Sequence, residues 1–320
     1  MKAAVVSSFD APPRYAEFED PSAGDGEVLV EVSAAGFHRI VKALASGSHY
    51  GSTGDLPMIP GVDGVGRLES GTRVYFGRVR DRFGTMAERC VTSRRMSMEL
   101  PDNLDDVTVA AMMNPGMSSW VALRQRADFK GGESVLILGA TGVAGQLAVQ
   151  IAKRMGARRV AAAGRSEAAL KELKRLGADV VIPLGQERGA VLSALREEMK
   201  DHKTDVVLDY VWGEPAEMVL EAIGVRGLSH ASWRIRYVQI GNSAGPTITL
   251  PAATLRSTGL ELMGSGFGSV SMEKIFASLA EFLKEASREP FESKAKSVPL
   301  SEVESAWNAP DEGERLVFRP

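Results

Sequence analysis

The chain has 320 residues, 44% of them hydrophobic, and a formal net charge of −3. At roughly 100–200 residues per domain this suggests two domains, with no basic excess to point to nucleic acid and no acidic tail. One cysteine, Cys90, excludes an intrachain disulfide and a multi-cysteine zinc site. The first residues lack the apolar stretch of a signal peptide and no run of 18 apolar residues reads as a membrane span, so the expectation is a cytoplasmic α/β enzyme without nucleic-acid or membrane partners.

Residues 1–114 hold short segments punctuated by Gly and Pro. Strands are predicted at 2–6, 27–33, 64–68, 73–76 and 87–91. The second alternates Val28, Val30 and Val32, the period of a half-buried strand. Residues 105–113 are predicted helical. From about 118 to 261 apolar runs at 134–138, 159–163, 180–183, 206–209 and 236–240 alternate with helical stretches at 145–155, 166–176, 189–200 and 215–223. A sixth short strand is predicted at 260–263. Continuous apolar runs are how buried parallel strands read, with helices on both faces, so this half predicts a doubly wound α/β domain. An amphipathic helix follows at 272–285. The tail beyond it is too short for a separate domain and is expected to return to the first, β-rich module.

The first strand of the series runs into Gly139-Ala140-Thr141-Gly142-Val143-Ala144-Gly145 and then a helix. Such a unit leaves free amides at the helix start, where the dipole favours an anion, and glycine lets the backbone approach a pyrophosphate. The strict pattern is Gly-x-Gly-x-x-Gly; here Ala140 holds the first place, Gly142 and Gly145 the others. A glycine turn can also serve only helix–strand packing. Its place at the first strand of a βα series favours a dinucleotide, with Ala140, Thr141, Gly142, Val143 and Ala144 as cofactor-binding candidates.

The second strand ends in Gly164-Arg165-Ser166, where an NAD site carries Asp or Glu for the ribose 2′-hydroxyl. No acid is present. Arg165 and the Ser166 hydroxyl suit a 2′-phosphate, because a guanidinium fork donates two hydrogen bonds to it. The expected cofactor is therefore NADP(H), with Gly164, Arg165 and Ser166 in its site. A local reading, in which Ser166 caps the next helix and Arg165 is solvated, can coexist with it. Ligands of open α/β sheets lie outside the carboxyl ends of the strands. Tyr210 and Val211 after the fourth strand, Gly241 and Asn242 after the fifth, and Gly266 and Phe267 after the sixth are further candidates, each against ordinary turn chemistry.

Met1-Lys2-Ala3-Ala4-Val5-Val6, Ala35-Gly36-Phe37-His38, Pro60-Gly61-Val62-Asp63-Gly64-Val65-Gly66, Phe83-Gly84-Thr85-Met86-Ala87-Glu88, the 139–145 turn, Leu176-Gly177-Ala178-Asp179, Asp209-Tyr210-Val211-Trp212-Gly213 and Gly241 follow in a specific order and spacing. Over nearly its whole length the chain thereby resembles the zinc-independent, quinone oxidoreductase-like branch of the medium-chain dehydrogenase/reductase superfamily. The resemblance implies a GroES-like, partly open β-barrel domain at 1–117 with 264–320 and a Rossmann NADP-binding domain with a parallel sheet at 118–263. It further implies an active site in the cleft between them, hydride transfer from NADPH to a quinone or activated double bond, and a homodimer.

Zinc-dependent relatives carry Cys just after the Ala-Gly turn and Gly-His-Glu near the next Pro-Gly. In this chain those places look like His38 and Gly61-Val62-Asp63. Zinc takes about four ligands, and His38 with Asp63 is too few, so no metal is expected. Asp63 is expected instead to hold its loop by accepting backbone hydrogen bonds. Without a metal, a developing oxyanion needs hydrogen-bond donors. Tyr50 aligns with a tyrosine lining the substrate cleft in some relatives, and His38 replaces a common Asn. These two are the catalytic candidates, each against a packing role. Residues 114–120 lie at the junction between domains, where they could border the nicotinamide; the competing expectation is that Ser118 or Ser119 only caps a helix beginning near Trp120. The expected function is an NADPH-dependent oxidoreductase acting on a small-molecule quinone or α,β-unsaturated carbonyl. The alternatives are an alcohol/ketone dehydrogenase, or an NADPH-binding sensor without catalysis.

Overall fold

In the computed structural model, which describes residues 1–77, 79–224, 233–310 and 313–320, the chain divides into two compact units, 1–115 with 283–320 and 116–282. The first opens with a ribbon of β1 (Lys2–Val5) and β2 (Arg14–Glu17). It continues through β3 (Glu27–Gly36), α1 (Arg39–Ala45), β4 (Asp63–Leu68), β5 (Arg73–Gly77), β6 (Arg89–Ser93) and β7 (Ser97–Glu99). In β3 the valine alternation holds: Val28, Val30 and Val32 are buried, with Leu29 and Glu31 exposed between them. The strand runs on to Gly36, past its predicted end. Its register against β4 shifts between Val32 and Ala34, and the last three residues, Ala34 to Gly36, are all buried.

The next element, α2 (Asp106–Val121), is one continuous helix that passes into a π-turn at Ala122–Arg126. Ser118 and Ser119 lie inside its last turns, so the expected cap of a new helix near Trp120 is overturned. Pro115 is accommodated within the helix because the buried stretch at 109–113 is taken up again at 119–123. The Ser119 hydroxyl donates one turn back, to the Gly116 carbonyl.

The second unit alternates β8 (Ser134–Leu138), α3 (Val143–Arg154), β9 (Arg159–Gly164), α4 (Glu167–Arg175), β10 (Val180–Pro183), α5 (Arg188–Arg196), β11 (Val206–Asp209), α6 (Gly213–Ile223), β12 (Arg234–Gln239), α7 (Ala252–Ser257) and β13 (Gly259–Gly264). Its strands are all parallel, in the order β10-β9-β8-β11-β12-β13. That is the doubly wound Rossmann order, which reverses between β8 and β11. All five residues of β8 are buried, as a central strand covered on both faces requires. Finally α8 (Met272–Arg288) brings Phe282 to Trp120, ring centroids 5.5 Å apart, into room that Gly116 leaves open. Gln125 donates to Ser278 Oγ nearby. These contacts explain why residues 264–282, expected with the first domain, belong to the second unit.

The chain returns through β14 (Ala295–Pro299), α9 (Val303–Ala306) and β15 (Arg315–Arg319). β15 pairs antiparallel with β3, Val317 opposite Gly36 and Phe318 opposite Ala35. Among the described residues this completes a seven-stranded sheet, β14-β15-β3-β4-β5-β7 with β6 also on β3. Phe37 sits between Trp307 and Phe318, 4.8 and 5.4 Å from their centroids, and locks the returning segment to the sheet. The unit has the GroES-like, partly open barrel architecture. No helix among the described residues is long and apolar enough to cross a membrane.

Candidate active site

The turn after β8 takes its left-handed backbone at Gly139, φ 79°, not at residue 140. Alanine is therefore tolerated at the first place of the glycine pattern, where Ala140 is fully buried. The amides of Gly139 and Ala140 both donate to the Ala163 carbonyl, at 3.0 and 2.9 Å, and tie the turn to β9. A Cβ on Gly145 would lie 2.4 Å from the Gly139 carbonyl oxygen, so helix and turn meet backbone to backbone. Gly142 differs. It is the exposed N-cap of α3, no side chain caps it, and an added Cβ would meet only the Gly139 oxygen, at 3.7 Å. The amides of Val143 and Ala144 begin the helix, where no internal acceptor reaches them and the positive end of the dipole lies. Open space, backbone donors and the helix dipole together fit a dinucleotide's pyrophosphate.

Gly164 ends β9 against Thr141, whose Cγ2 an added Cβ would approach to 2.4 Å. Arg165 and Ser166 beyond it are exposed. Ser166 Oγ accepts from the Ala169 amide at 3.4 Å and caps α4, so its local role is real, and its hydroxyl proton stays available to a phosphate. Arg165 has no carboxylate partner among the described residues.

Asp209 ends β11 fully buried. Its Oδ1 accepts from the amides of Val211 (2.8 Å) and Trp212 (2.9 Å), and its Oδ2 from the Tyr237 phenol (2.7 Å). Burial pushes the Asp209 carboxyl up despite these donors and holds the Tyr237 phenol well above 10. The Tyr210 phenol lies 3.2 Å from Ser118 Oγ and is pushed up by burial to about 12. Gly241 packs on Tyr210, whose carbonyl oxygen an added Cβ would approach to 2.6 Å. Val211 lies against Gly139, where the corresponding distance is 2.7 Å. The turns after β8, β11 and β12 thus meet at the carboxyl end of the sheet, at the reversal of strand order.

A pocket of about 320 Å³ lies at the same end, lined by Trp212, Gln239, Asn242, Pro246 and the end of β13 at Leu262, Met263 and Gly264. Of the predicted residues, Asn242 lines it; Gly266 and Phe267 do not. The Gly266 amide and carbonyl are both taken by Ser269 Oγ at 2.8 Å, and Arg126 pins that turn through the carbonyls of Gly264 and Ser269. Sequence reasoning missed Gln239, Leu262 and Met263 because they read as ordinary strand residues. Only their position at carboxyl strand ends pointed to them.

In the first unit His38 precedes α1, 4% exposed, with Nε2 3.0 Å from Asp63 Oδ1. The approach lacks hydrogen-bond geometry, and both ring nitrogens and Oδ1 have no hydrogen-bond partner. The other Asp63 oxygen accepts from the buried Tyr75 phenol at 2.7 Å. The expectation that this carboxylate holds its loop through backbone amides is therefore overturned. As the first residue of β4, Asp63 sits in a ladder whose amides the sheet itself uses, and it is the Thr85 hydroxyl that ties the loop, donating to the Asp63 carbonyl at 2.9 Å. Tyr50 is 75% exposed, its ring tilted on His49 with centroids 4.2 Å apart. Among the described residues no three His, Cys, Asp or Glu side chains gather as metal ligands. Cys90 is buried and its thiol is pushed up by burial, which makes it unreactive.

Residues 143–285 match the zinc-binding dehydrogenase family. The chain is 30% identical to the probable NADPH-dependent quinone reductase tdiC of Emericella nidulans, an alignment that covers 100% of both proteins. The chain belongs to the medium-chain dehydrogenase/reductase superfamily, quinone oxidoreductase-like branch. It is also 29% identical to a quinone oxidoreductase of Pseudomonas aeruginosa, over 77% of this chain and 74% of that one. Among solved structures it is similar to the quinone oxidoreductase of Thermus thermophilus, determined alone and in complex with NADPH. The TM-score is 0.82 and the identity 26%, with all of both chains covered. Within this superfamily frame the chain carries Ala140 in its glycine turn, the His38–Asp63 pair in its first unit and Trp212 in the lining of its pocket.

Proposed function

We propose that the chain is an NADPH-dependent oxidoreductase whose acceptor is a quinone or an α,β-unsaturated carbonyl, and that it works without a catalytic zinc. The bound dinucleotide supplies the hydride. The observation that carries the reading is the uncapped start of α3 behind an open Gly142, beside an exposed Arg165 with no acid at the end of β9. The amides of Val143 and Ala144, behind the open Gly142, hold the pyrophosphate, and Arg165 with Ser166 holds the 2′-phosphate. The turns at Tyr210, Val211, Gly241 and Asn242 border the nicotinamide half. The names of the relatives, a probable NADPH-dependent quinone reductase and quinone oxidoreductases, support the same acceptor class. Zinc independence is supported by the donor set, since His38 and Asp63 offer two of the roughly four ligands zinc takes.

Tyr50, with its exposed phenol, is the proposed donor to the acceptor oxygen, with solvent as the second proton source; His38 is the second catalytic candidate. The proposal extends to a homodimer in the cytoplasm, checked by light scattering and cell fractionation. The first experiment is titration with NADPH and NADH, then an acceptor screen followed at the nicotinamide absorbance. Arg165→Ala is expected to weaken NADPH roughly 10–100-fold, the loss of about 1.5–3 kcal/mol of charge-assisted hydrogen bonding, and to leave NADH unchanged. Equal losses for both cofactors overturn the 2′-phosphate assignment, and NADPH binding with no acceptor reduced favours the sensor.

A further inference from the structure

Trp212 adopts φ 56° and ψ −156°, a region that essentially only glycine enters without strain. Gly213, next to it, is also left-handed, at φ 57°. The turn is tied from several sides. Asp209 Oδ1 accepts the amides of Val211 and Trp212, the Asp209 carbonyl accepts from Ile240 and Gly241 at 2.7 and 3.0 Å, and Ala244 donates to the Val211 carbonyl at 2.7 Å. All of these bonds belong to the backbone or to Asp209, and glycine at 212 would keep every one while removing the strain. The indole is half-buried: one side packs on the apolar core of the second unit, where it meets Tyr237 edge-on with centroids 6.4 Å apart. What it does provide is one wall of the 320 Å³ pocket. Strain that surrounding structure enforces marks functional positions.

The position of the pocket fits such a role. The pyrophosphate cradle lies at the end of β8, and Arg165 at the end of its neighbour β9. The pocket lies on the other side, at β12 and β13. With strands about 4.8 Å apart, β12 is roughly 10 Å from β8. A dinucleotide held across the reversal, its 2′-phosphate toward Arg165, directs its far ring toward Trp212.

We propose that Trp212 is a specificity-determining residue: it is kept in a glycine conformation so that its indole stacks on a flat, carbonyl-bearing conjugated ring, with the side-chain amides of Gln239 and Asn242 beside that ring. The identity of the ring, nicotinamide or acceptor, rests on the proposed function; the strain at Trp212 does not. Trp212→Ala and Trp212→Gly both remove the indole, and only glycine relieves the backbone. The Gly variant is expected to melt several degrees above the Ala variant, the reverse of the usual order. Calorimetric titration uses NADPH, 2′,5′-ADP (which lacks nicotinamide) and 1,4-naphthoquinone. Both variants are expected to bind a ring ligand about tenfold more weakly, while Trp212→Phe keeps most of the affinity. Weakened NADPH with 2′,5′-ADP unchanged identifies the ring as nicotinamide, and weakened naphthoquinone with NADPH unchanged identifies it as the acceptor. The proposal is overturned when neither ligand is weakened, or when the Gly variant melts at or below the Ala variant. Absence of NADPH binding by the unaltered protein defeats the proposed function separately, and the melting order with the naphthoquinone titration still decides the role of Trp212.

Discussion

The turns after β8 and β11 leave neighbouring strands at the same end of the sheet, yet one takes its left-handed backbone at Gly139 and the other at Trp212. At the first, every glycine answers a backbone need: positive φ at 139, an open face at 142, contact at 2.4 Å between helix and turn at 145. At the second, the largest side chain stands where the backbone calls for the smallest, and a buried carboxylate with three hydrogen bonds holds it there. The difference separates two ways of making a ligand site, if each turn serves as proposed. One exposes bare backbone to an anion, and its residues are dictated by geometry. The other presents a side chain against geometry, and its support has to come from residues such as Asp209 and Tyr237.

The contrast can be broken or sharpened by substitution. The largest effect is expected for Gly145→Val, which drives a branched side chain into the backbone of residues 139 and 140. It should cost about 4 kcal/mol in urea unfolding, at the severe end for point changes, and a loss under about 1 kcal/mol would show that the turn is not rigidly packed. Next comes Asp209→Ala, which leaves the amides of Val211 and Trp212 and the Tyr237 hydroxyl without their acceptor. A loss of about 3 kcal/mol is expected at roughly 1–3 kcal/mol per orphaned buried group, measured the same way. Gly139→Ala should cost about 1–2 kcal/mol for a left-handed alanine, with the Val211 side chain able to yield. A loss equal to that of Gly145→Val would mean that Val211 cannot move.

The smallest effect is a pH dependence. Burial raises the Asp209 carboxyl in the folded chain. A raised acid contributes stability that is complete below its unfolded value, about 3.9, and lost as pH climbs through the folded value. Asp209→Asn removes this titration. The unfolding midpoint of the unaltered protein, relative to that variant, should therefore fall as pH rises from about 4 to about 7. A rise over that interval would show the carboxylate to be favoured by its three donors over the cost of burial.

Much of the second unit was legible in the sequence, because a parallel strand buried on both faces is a solid apolar run, as 134–138 is, and because the 139–145 glycines each answer a local backbone demand. The first unit was less legible. β2, β14 and β15 are short, and β15 takes its place only by pairing with β3 across hundreds of residues, carrying β14 with it. Pro115 and Gly116 read as a break, yet α2 runs through them, since buried stretches on either side carry the helix on.

The site divides along the same line. Local order along the chain determined the strand–turn–helix unit, the absence of an acid after Gly164 and the cofactor expectation, because each depends on residues a few places apart. Only tertiary structure decided that Asp63 serves Tyr75, that Gly266 is occupied by Ser269, and that Trp212, Gln239 and Met263 share a pocket. The pocket residues lie far apart in sequence and are gathered by the order of strands in a sheet, which no local pattern encodes.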